Sequence, residues 1–277
     1  MSFSHQKSII YLLITAVLWS TGGLLIQSID AHPFAIAGGR SIIAGIVIWI
    51  FLKRPNITFS IPQIVGAVMY ALTVILFVLA NKMTSAANAI VLQYTGPIWV
   101  AMFSGLFLKE KVTTMDWLSV LAVIGGMSLF FMDELSISGM AGNGIAISSG
   151  FAFAGLAIAL RMQKDNSPFE SILLGNVLTG AFGAYWLYQS FPMNTDSIMG
   201  LFLLGIFQLG IPYILYAKAI QHVTALESIL IPVLEPLLNP FWVFLATREV
   251  PGEGALIGGA IVLIAIITRS IVRQKQI

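Results

Sequence analysis

Ten apolar stretches, each about 20 residues long and separated by short polar connections, leave this chain few ways to fold. They run over roughly 8–29, 34–52, 62–81, 86–108, 115–132, 140–160, 169–190, 198–217, 224–247 and 253–272. A helix of that length spans the roughly 30 Å hydrocarbon core of a bilayer. The composition agrees: 58% of the 277 residues are hydrophobic and 9% charged, where a soluble domain carries about 25% charged. The reading is an all-α membrane protein of ten transmembrane helices. Lys7 followed by an apolar run imitates a signal peptide, but the run from Ile9 to Ile29 is too long for one. The breakers sit between runs, at Ala31-His32-Pro33, Lys53-Arg54-Pro55-Asn56, Asp133-Glu134, Asn166-Ser167-Pro168, Asn194-Thr195-Asp196 and Pro251-Gly252.

Several chemistries are unsupported by the residues. There is no cysteine, so disulfides, thiolate metal sites and thiol nucleophiles are excluded. His5, His32 and His222 share no ligand spacing. No Ser-His pairing stands out and no P-loop is present, so neither an intramembrane enzyme nor built-in ATP drive is read, and no cofactor is expected. No basic run points to nucleic acid.

Orientation follows from the lysines and arginines. With the N-terminus inside, Lys7, Lys53, Arg54, Lys109, Lys111, Arg161, Lys164, Lys218, Arg269, Arg273 and Lys275 are cytoplasmic, and only Lys82 and Arg248 lie outside. This predicts an integral protein of the bacterial cytoplasmic (inner) membrane with both termini cytoplasmic. No oligomeric partner is read, and a monomer suffices.

A shift of 139 residues aligns the halves without a gap from Gly66 to Lys111. Gly66 falls on Gly205, Phe77 on Tyr216, Ala80 on Ala219, Pro97 on Pro236, Lys109 on Arg248 and Glu110 on Glu249. A proline and a basic-Glu pair in fixed register are informative where apolar matches are not. The expected units are residues 1–134 and 135–277, five helices each. Five being odd, the second repeat is inverted in the membrane, an arrangement typical of secondary transporters with a site near the midplane.

Further residues carry a family resemblance. Leu18-Trp19-Ser20 lies in the first run and Gly39-Arg40 in the second. Gln93-Tyr94-Thr95-Gly96-Pro97 through Leu108-Lys109-Glu110 closes the fourth, and Leu234-Glu235-Pro236 through Arg248-Glu249 closes the ninth. Over essentially its whole length the chain resembles an EamA-type member of the drug/metabolite transporter superfamily. The resemblance implies ten spans, a central cavity, and export or exchange of small metabolites such as amino acids. Phe151 and Phe153 stand where that family often has a tryptophan.

Two features suggest where transport chemistry resides. Pro97, Pro212, Pro232, Pro236 and Pro240 fall inside predicted helices. Each frees the carbonyl four residues earlier, which in lipid needs another partner. They are read as gating bends, with fixed kinks the alternative. Glu235 sits near the middle of the ninth run, where ionisation costs about 3 kcal/mol. It shares a helical stripe with Ser228, Pro232, Asn239 and Trp242. Its role is read as coupling or amine recognition, with structural glue as the alternative. Arg40 is open to three readings: holding a substrate carboxylate, snorkelling, or pairing with Glu235, which the sequence favours. Glu227 is expected to reach cytoplasmic water. Lys109-Glu110 and Arg248-Glu249 are expected to be structural, marking boundaries and capping helices. Trp19, Tyr70, Phe77, Asn81, Gln93, Tyr94, Tyr213 and Tyr216 complete a plausible cavity for a small molecule.

The function read from all this is secondary transport, by export or exchange, of small polar or amphipathic, amino-acid-like metabolites. Alternating access is expected, with protons as a candidate coupling ion. A passive facilitator or channel, or a lipid-handling protein, is the alternative. The partners are the substrate and the lipid bilayer.

Overall fold

The computed structural model describes residues 3–133, 135, 139–238 and 252–274. Among them there are helices and connections and no strand. The first run forms α1 (Phe3–Trp19) and α2 (Gly22–Ser28), and the second and third form α3 (Pro33–Leu52) and α4 (Ile61–Met83). The fourth is α5 (Ala86–Gln93) and α6 (Gly96–Leu108), followed by α7 (Thr114–Phe130), α8 (Met140–Met162) and α9 (Phe169–Gln189). The eighth begins as α10 (Thr195–Leu203), passes through a π-helical stretch over Leu204–Gly210, and resumes as α11 (Ile211–Ile220). The ninth contains α12 (Ala225–Leu230), a 3₁₀ turn over Ile231–Val233 and α13 (Leu234–Leu237). The last described helix is α14 (Glu253–Gln274).

Six segments among the described residues are long and apolar enough to cross a membrane: 33–52, 61–83, 86–108, 140–162, 195–220 and 253–272. Large apolar side chains such as Ile50, Ile61, Leu106, Leu121 and Ile264 point outward, as a surface solvated by lipid requires. The helix starts are locally encoded. Pro33, Pro62, Pro97 and Pro212 stand at first-turn positions, where a missing N–H costs nothing. Thr113 with Asp116, and Thr224 with Glu227, form capping boxes at the starts of α7 and α12.

Small residues bring helices close. A Cβ placed on Gly38 of α3 would lie 2.7 Å from the Cα of Gly183 on α9. One on Gly258 of α14 would lie 2.4 Å from the Gly126 carbonyl oxygen of α7. The backbones therefore touch without intervening side chains. Together with α4 against α8 and α9, and α1 against α11, these contacts surround one large apolar core, with a small second cluster at Ala80, Ala89 and Ala146.

The apolar runs predict unbroken helices, and here the structure differs. The first run breaks at Ser20–Thr21 and the fourth at Tyr94–Thr95, the eighth carries π turns, and the ninth carries a 3₁₀ turn. The repeat register places Tyr94 on Val233, so the breaks in the fourth and ninth runs are equivalent.

Candidate functional site

The interruptions converge on one buried cavity. It is lined by Trp19, Arg40, Thr73, Val74, Phe77, Gln93, Tyr94, Phe153, Gln208, Leu209, Tyr213 and Glu235. Trp19 is the last residue of α1, Gln93 ends α5, Tyr94 is its C-cap, Gln208 and Leu209 lie in the π stretch, and Glu235 follows the 3₁₀ turn. The cavity is narrow, about 30 Å³, with room for a few waters at most.

Proline chemistry explains two of the breaks. Pro97 has no N–H to offer the Gln93 carbonyl, and Pro236 has none for the Pro232 carbonyl. These carbonyls are repeat equivalents, and each meets a neighbouring element. The Tyr94 hydroxyl reaches the Pro232 carbonyl oxygen at 2.9 Å. The Gln93 carbonyl faces Gly150 of α8, where a Cβ would approach it to 2.5 Å. In α11, Pro212 likewise cannot serve the Gln208 carbonyl, and the π stretch lies at that point.

The charges are held by neutral groups. Arg40 is 1% exposed; its Nη1 donates to Gln208 Oε1 at 2.9 Å and its Nη2 to the Val74 carbonyl at 3.3 Å. Among the described residues no carboxylate lies within ion-pair distance of Arg40. The expected Arg40–Glu235 pair is therefore absent, because Gln208 has taken the guanidinium. Glu235 accepts from the Tyr94 hydroxyl at 2.8 Å. Gln93 Nε2 donates to Ser149 Oγ at 2.8 Å, and Ser149 in turn to the Thr73 carbonyl at 3.2 Å. Trp19 packs against Phe153, Tyr213 and Tyr216 with ring centroids 5.7, 5.2 and 5.6 Å away. Trp19 Nε1 and Arg40 Nε are buried without a hydrogen-bond partner among the described residues.

Of the residues singled out in the sequence, Trp19, Arg40, Phe77, Gln93, Tyr94, Tyr213 and Glu235 line the cavity. Tyr70, Asn81 and Tyr216 do not. The Tyr70 hydroxyl donates to Asn176 Oδ1 at 3.1 Å, Asn81 Nδ2 to the Phe77 carbonyl at 2.9 Å, and the Tyr216 hydroxyl pairs with Ser228 Oγ at 3.0 Å. Tyr70 and Tyr216 still form the layer behind the cavity, against Tyr213. Pro97, Pro212, Pro232 and Pro236 stand at or beside the breaks, while Asn239, Pro240, Trp242, Arg248 and Glu249 lie outside the described residues.

Sequence reasoning missed Thr73, Val74, Phe153, Gln208 and Leu209 as lining residues. Gln208 was findable as a polar residue in an apolar run, four before Pro212. Glu227 does not open to water. It is 7% exposed, caps α12 with Thr224, and lies 3.9 Å from Arg269 Nη1 and 3.6 Å from His5 Nε2. Glu110 accepts from Arg161 Nε at 2.8 Å and from the Ala225 N–H at 3.0 Å. It thus supports the start of α12 rather than that of the helix following it in sequence.

Comparisons with known proteins agree with this architecture. The pseudopaline exporter CntI of Pseudomonas aeruginosa is 24% identical over 242 residues, covering 83% of this chain and 84% of that protein. Human solute carrier family 35 member G1 is 26% identical over 238 residues, covering 76% of this chain and 64% of its own. A solved crystal structure superposes with a TM-score of 0.80 at 17% identity, over 98% of this chain and 99% of the other, and so shares the fold. The family described as EamA-like transporters matches residues 6–132 and again 140–270. A membrane core of apolar helices interrupted around one cavity, carrying two copies of that family's pattern, makes this chain a member of the EamA-like transporter family.

Proposed function

We propose that the chain is a secondary transporter that exports or exchanges small polar or amphipathic, amino-acid-like metabolites by alternating access. The observation that carries this reading is the meeting of interrupted helices from both halves at one buried cavity that holds a base and an acid. Broken helices are tolerated at membrane depth where their backbone lines a cavity or is buried in protein. The narrowness of the cavity supports an occluding carrier over an open pore. Export as the direction is supported by the relative in Pseudomonas aeruginosa named an exporter.

In this reading residues 1–134 and 135–277 are inverted five-helix repeats. The six segments long enough to span are joined by α1–α2, α7, α9 and the run beginning at α12 to give ten spans. Both termini are cytoplasmic, and the membrane is the bacterial cytoplasmic membrane. The halves rock about the equivalent bends at Pro97 and Pro236, exposing the cavity to each side in turn. Glu235 supplies coupling: its carboxyl releases a proton to one face and takes one from the other as the ligand leaves.

The test is uptake by proteoliposomes of the purified chain, offered a panel of radiolabelled amino acids with and without a pH gradient. Wild type should concentrate at least one compound when the gradient is imposed. Glu235→Gln keeps an acceptor for Tyr94 and removes the titration, so it should keep slow exchange and lose concentrative uptake. Gradient-driven accumulation by Glu235→Gln equal to wild type would end the coupling role, and a panel with no transported member would end the substrate class.

A further inference from the structure

We infer that one end of the cavity is a carboxylate subsite, built from Arg40 Nε and the indole N–H of Trp19 and steadied by Gln208. The inference rests on the reading of this cavity as the substrate site, and it names the chemical class of the substrate.

Three observations combine. First, Arg40 is a buried cation whose partners are neutral: an amide oxygen and a backbone carbonyl. A guanidinium out of water with no carboxylate in ion-pair contact among the described residues is poorly compensated, and an anion placed against it recovers much of the desolvation cost. Second, the donors are not exhausted. A guanidinium carries five N–H groups, and Nε has no partner among the described residues. Trp19 Nε1, a donor that can only donate, is buried on the same cavity and also has none. Two donors without acceptors ask for a ligand that brings acceptors. Third, Arg40 is held in place. Gln208 Oε1 fixes Nη1 at 2.9 Å, and a Cβ on Gly22 would come within 2.9 Å of Gln208 Nε2. The glycine therefore leaves the amide the room it occupies, and the π stretch carries it toward Arg40.

The rest of the cavity narrows the class. Glu235 lines the same space and repels a second negative charge. A monoanionic carboxylate therefore fits better than a phosphate dianion. Phe77, Phe153 and Tyr213 supply apolar ring surface for the body of the ligand. The site is thus matched to a small carboxylate with an apolar or aromatic body, and a cationic amphiphile lacking the carboxylate leaves Arg40 uncompensated.

A matched set of probes tests this: L-phenylalanine, 3-phenylpropionate, which lacks the amine, and phenethylamine, which lacks the carboxylate. The readout is the indole ¹H–¹⁵N signal of Trp19 in the purified full chain in lipid nanodiscs, assigned by its loss in Trp19→Phe. Both carboxylates should shift that signal saturably and phenethylamine should not. Arg40→Lys keeps the charge and loses the Nε donor, so it should weaken 3-phenylpropionate binding about tenfold or more. If Arg40→Lys does not fold, Gln208→Leu, which frees the guanidinium without removing it, should weaken binding in the same direction. A response to phenethylamine equal to that for 3-phenylpropionate, or no response to either carboxylate, overturns the subsite. Failure of the transport reading looks different: the carboxylates bind at Trp19, yet proteoliposomes take up none of the three probes.

Discussion

Gly150→Ala is a one-methyl perturbation whose effect follows from the break in the fourth run. A Cβ at residue 150 would lie 2.5 Å from the Gln93 carbonyl oxygen and 2.8 Å from Thr95 Oγ1. Ordinary contact begins at 3.4 Å, so α8 and the α5–α6 joint must separate by roughly 0.9 Å. The atom it meets first is backbone, fixed by the turn that Pro97 imposes, so it cannot swing aside as a side-chain tip would. Overpacking of this kind costs about 1–3 kcal/mol, and each kcal/mol lowers the melting temperature by about 2–4 °C in a large domain. Gly144 is the control, since it lies on the same helix and a Cβ added there would meet nothing within 4 Å. Gly144→Ala should be neutral or stabilising by up to about 1 kcal/mol through helix propensity. The assay is residual monodisperse protein after heating in detergent, run for both variants beside wild type. Gly150→Ala should also depress transport, because Gln93 and Tyr94 move with the joint. If both variants melt at one temperature, the close approach at Gly150 is not what seats the broken helix.

Three further outcomes are expected. Pro236→Ala restores an N–H that competes with the Tyr94 hydroxyl for the Pro232 carbonyl; transport should fall about tenfold while the melting temperature holds or rises, since proline costs a helix about 3 kcal/mol, and normal turnover would mean a fixed kink. Cysteines introduced into this cysteine-free chain at Asn56 and Asp196, both exposed, should react with an impermeant thiol reagent only from inside and from outside respectively; labelling at Asn56 from outside sealed cells reverses the orientation. Asp116→Asn keeps a cap for α7 but removes the charge 2.8 Å from Arg269 Nε, where both side chains are under 5% exposed; with Glu227 still 3.9 Å from Arg269 Nη1, thermal unfolding should show a loss of about 1.5–3 kcal/mol, and a loss under about 1 kcal/mol would place that pair in effective contact with water.

Much of this architecture was legible because lipid is an unforgiving solvent. The run predicted at 169–190 is observed as Phe169–Gln189, and the run at 34–52 as Pro33–Leu52, since a polar or proline residue at each end sets the limit. The equivalence of Pro97 and Pro236 points to two of the four places where the runs are interrupted. What the sequence hid is how one broken element satisfies another. No pattern says that Gln208 will reach Arg40, because that depends on a π stretch turning the amide and on Gly22, far away in sequence, leaving space. Helical spacing puts Tyr70, Phe77 and Asn81 on one side of α4. Depth along that side decides the rest: Phe77 lines the cavity, while Tyr70 and Asn81 find partners in Asn176 and the backbone. The place of Glu227 near a helix start suggests water, whereas the neighbouring His5 and Arg269 enclose it.

The interrupted helices also bear on how such a chain diverges. At a break the main chain itself brings a polar group toward the cavity, as the Pro232 carbonyl that meets Tyr94 does. That polarity does not depend on which side chains surround it, so it survives substitutions that would empty an ordinary polar pocket. Relatives only 22–26% identical can then differ in their lining residues while keeping the polarity that the backbone supplies. On the proposed reading of this cavity as the substrate site, an engineer would leave the prolines, the close-packed glycines, Arg40 and Trp19 untouched and vary Phe77, Phe153 and Tyr213, which line the same space with apolar ring surface.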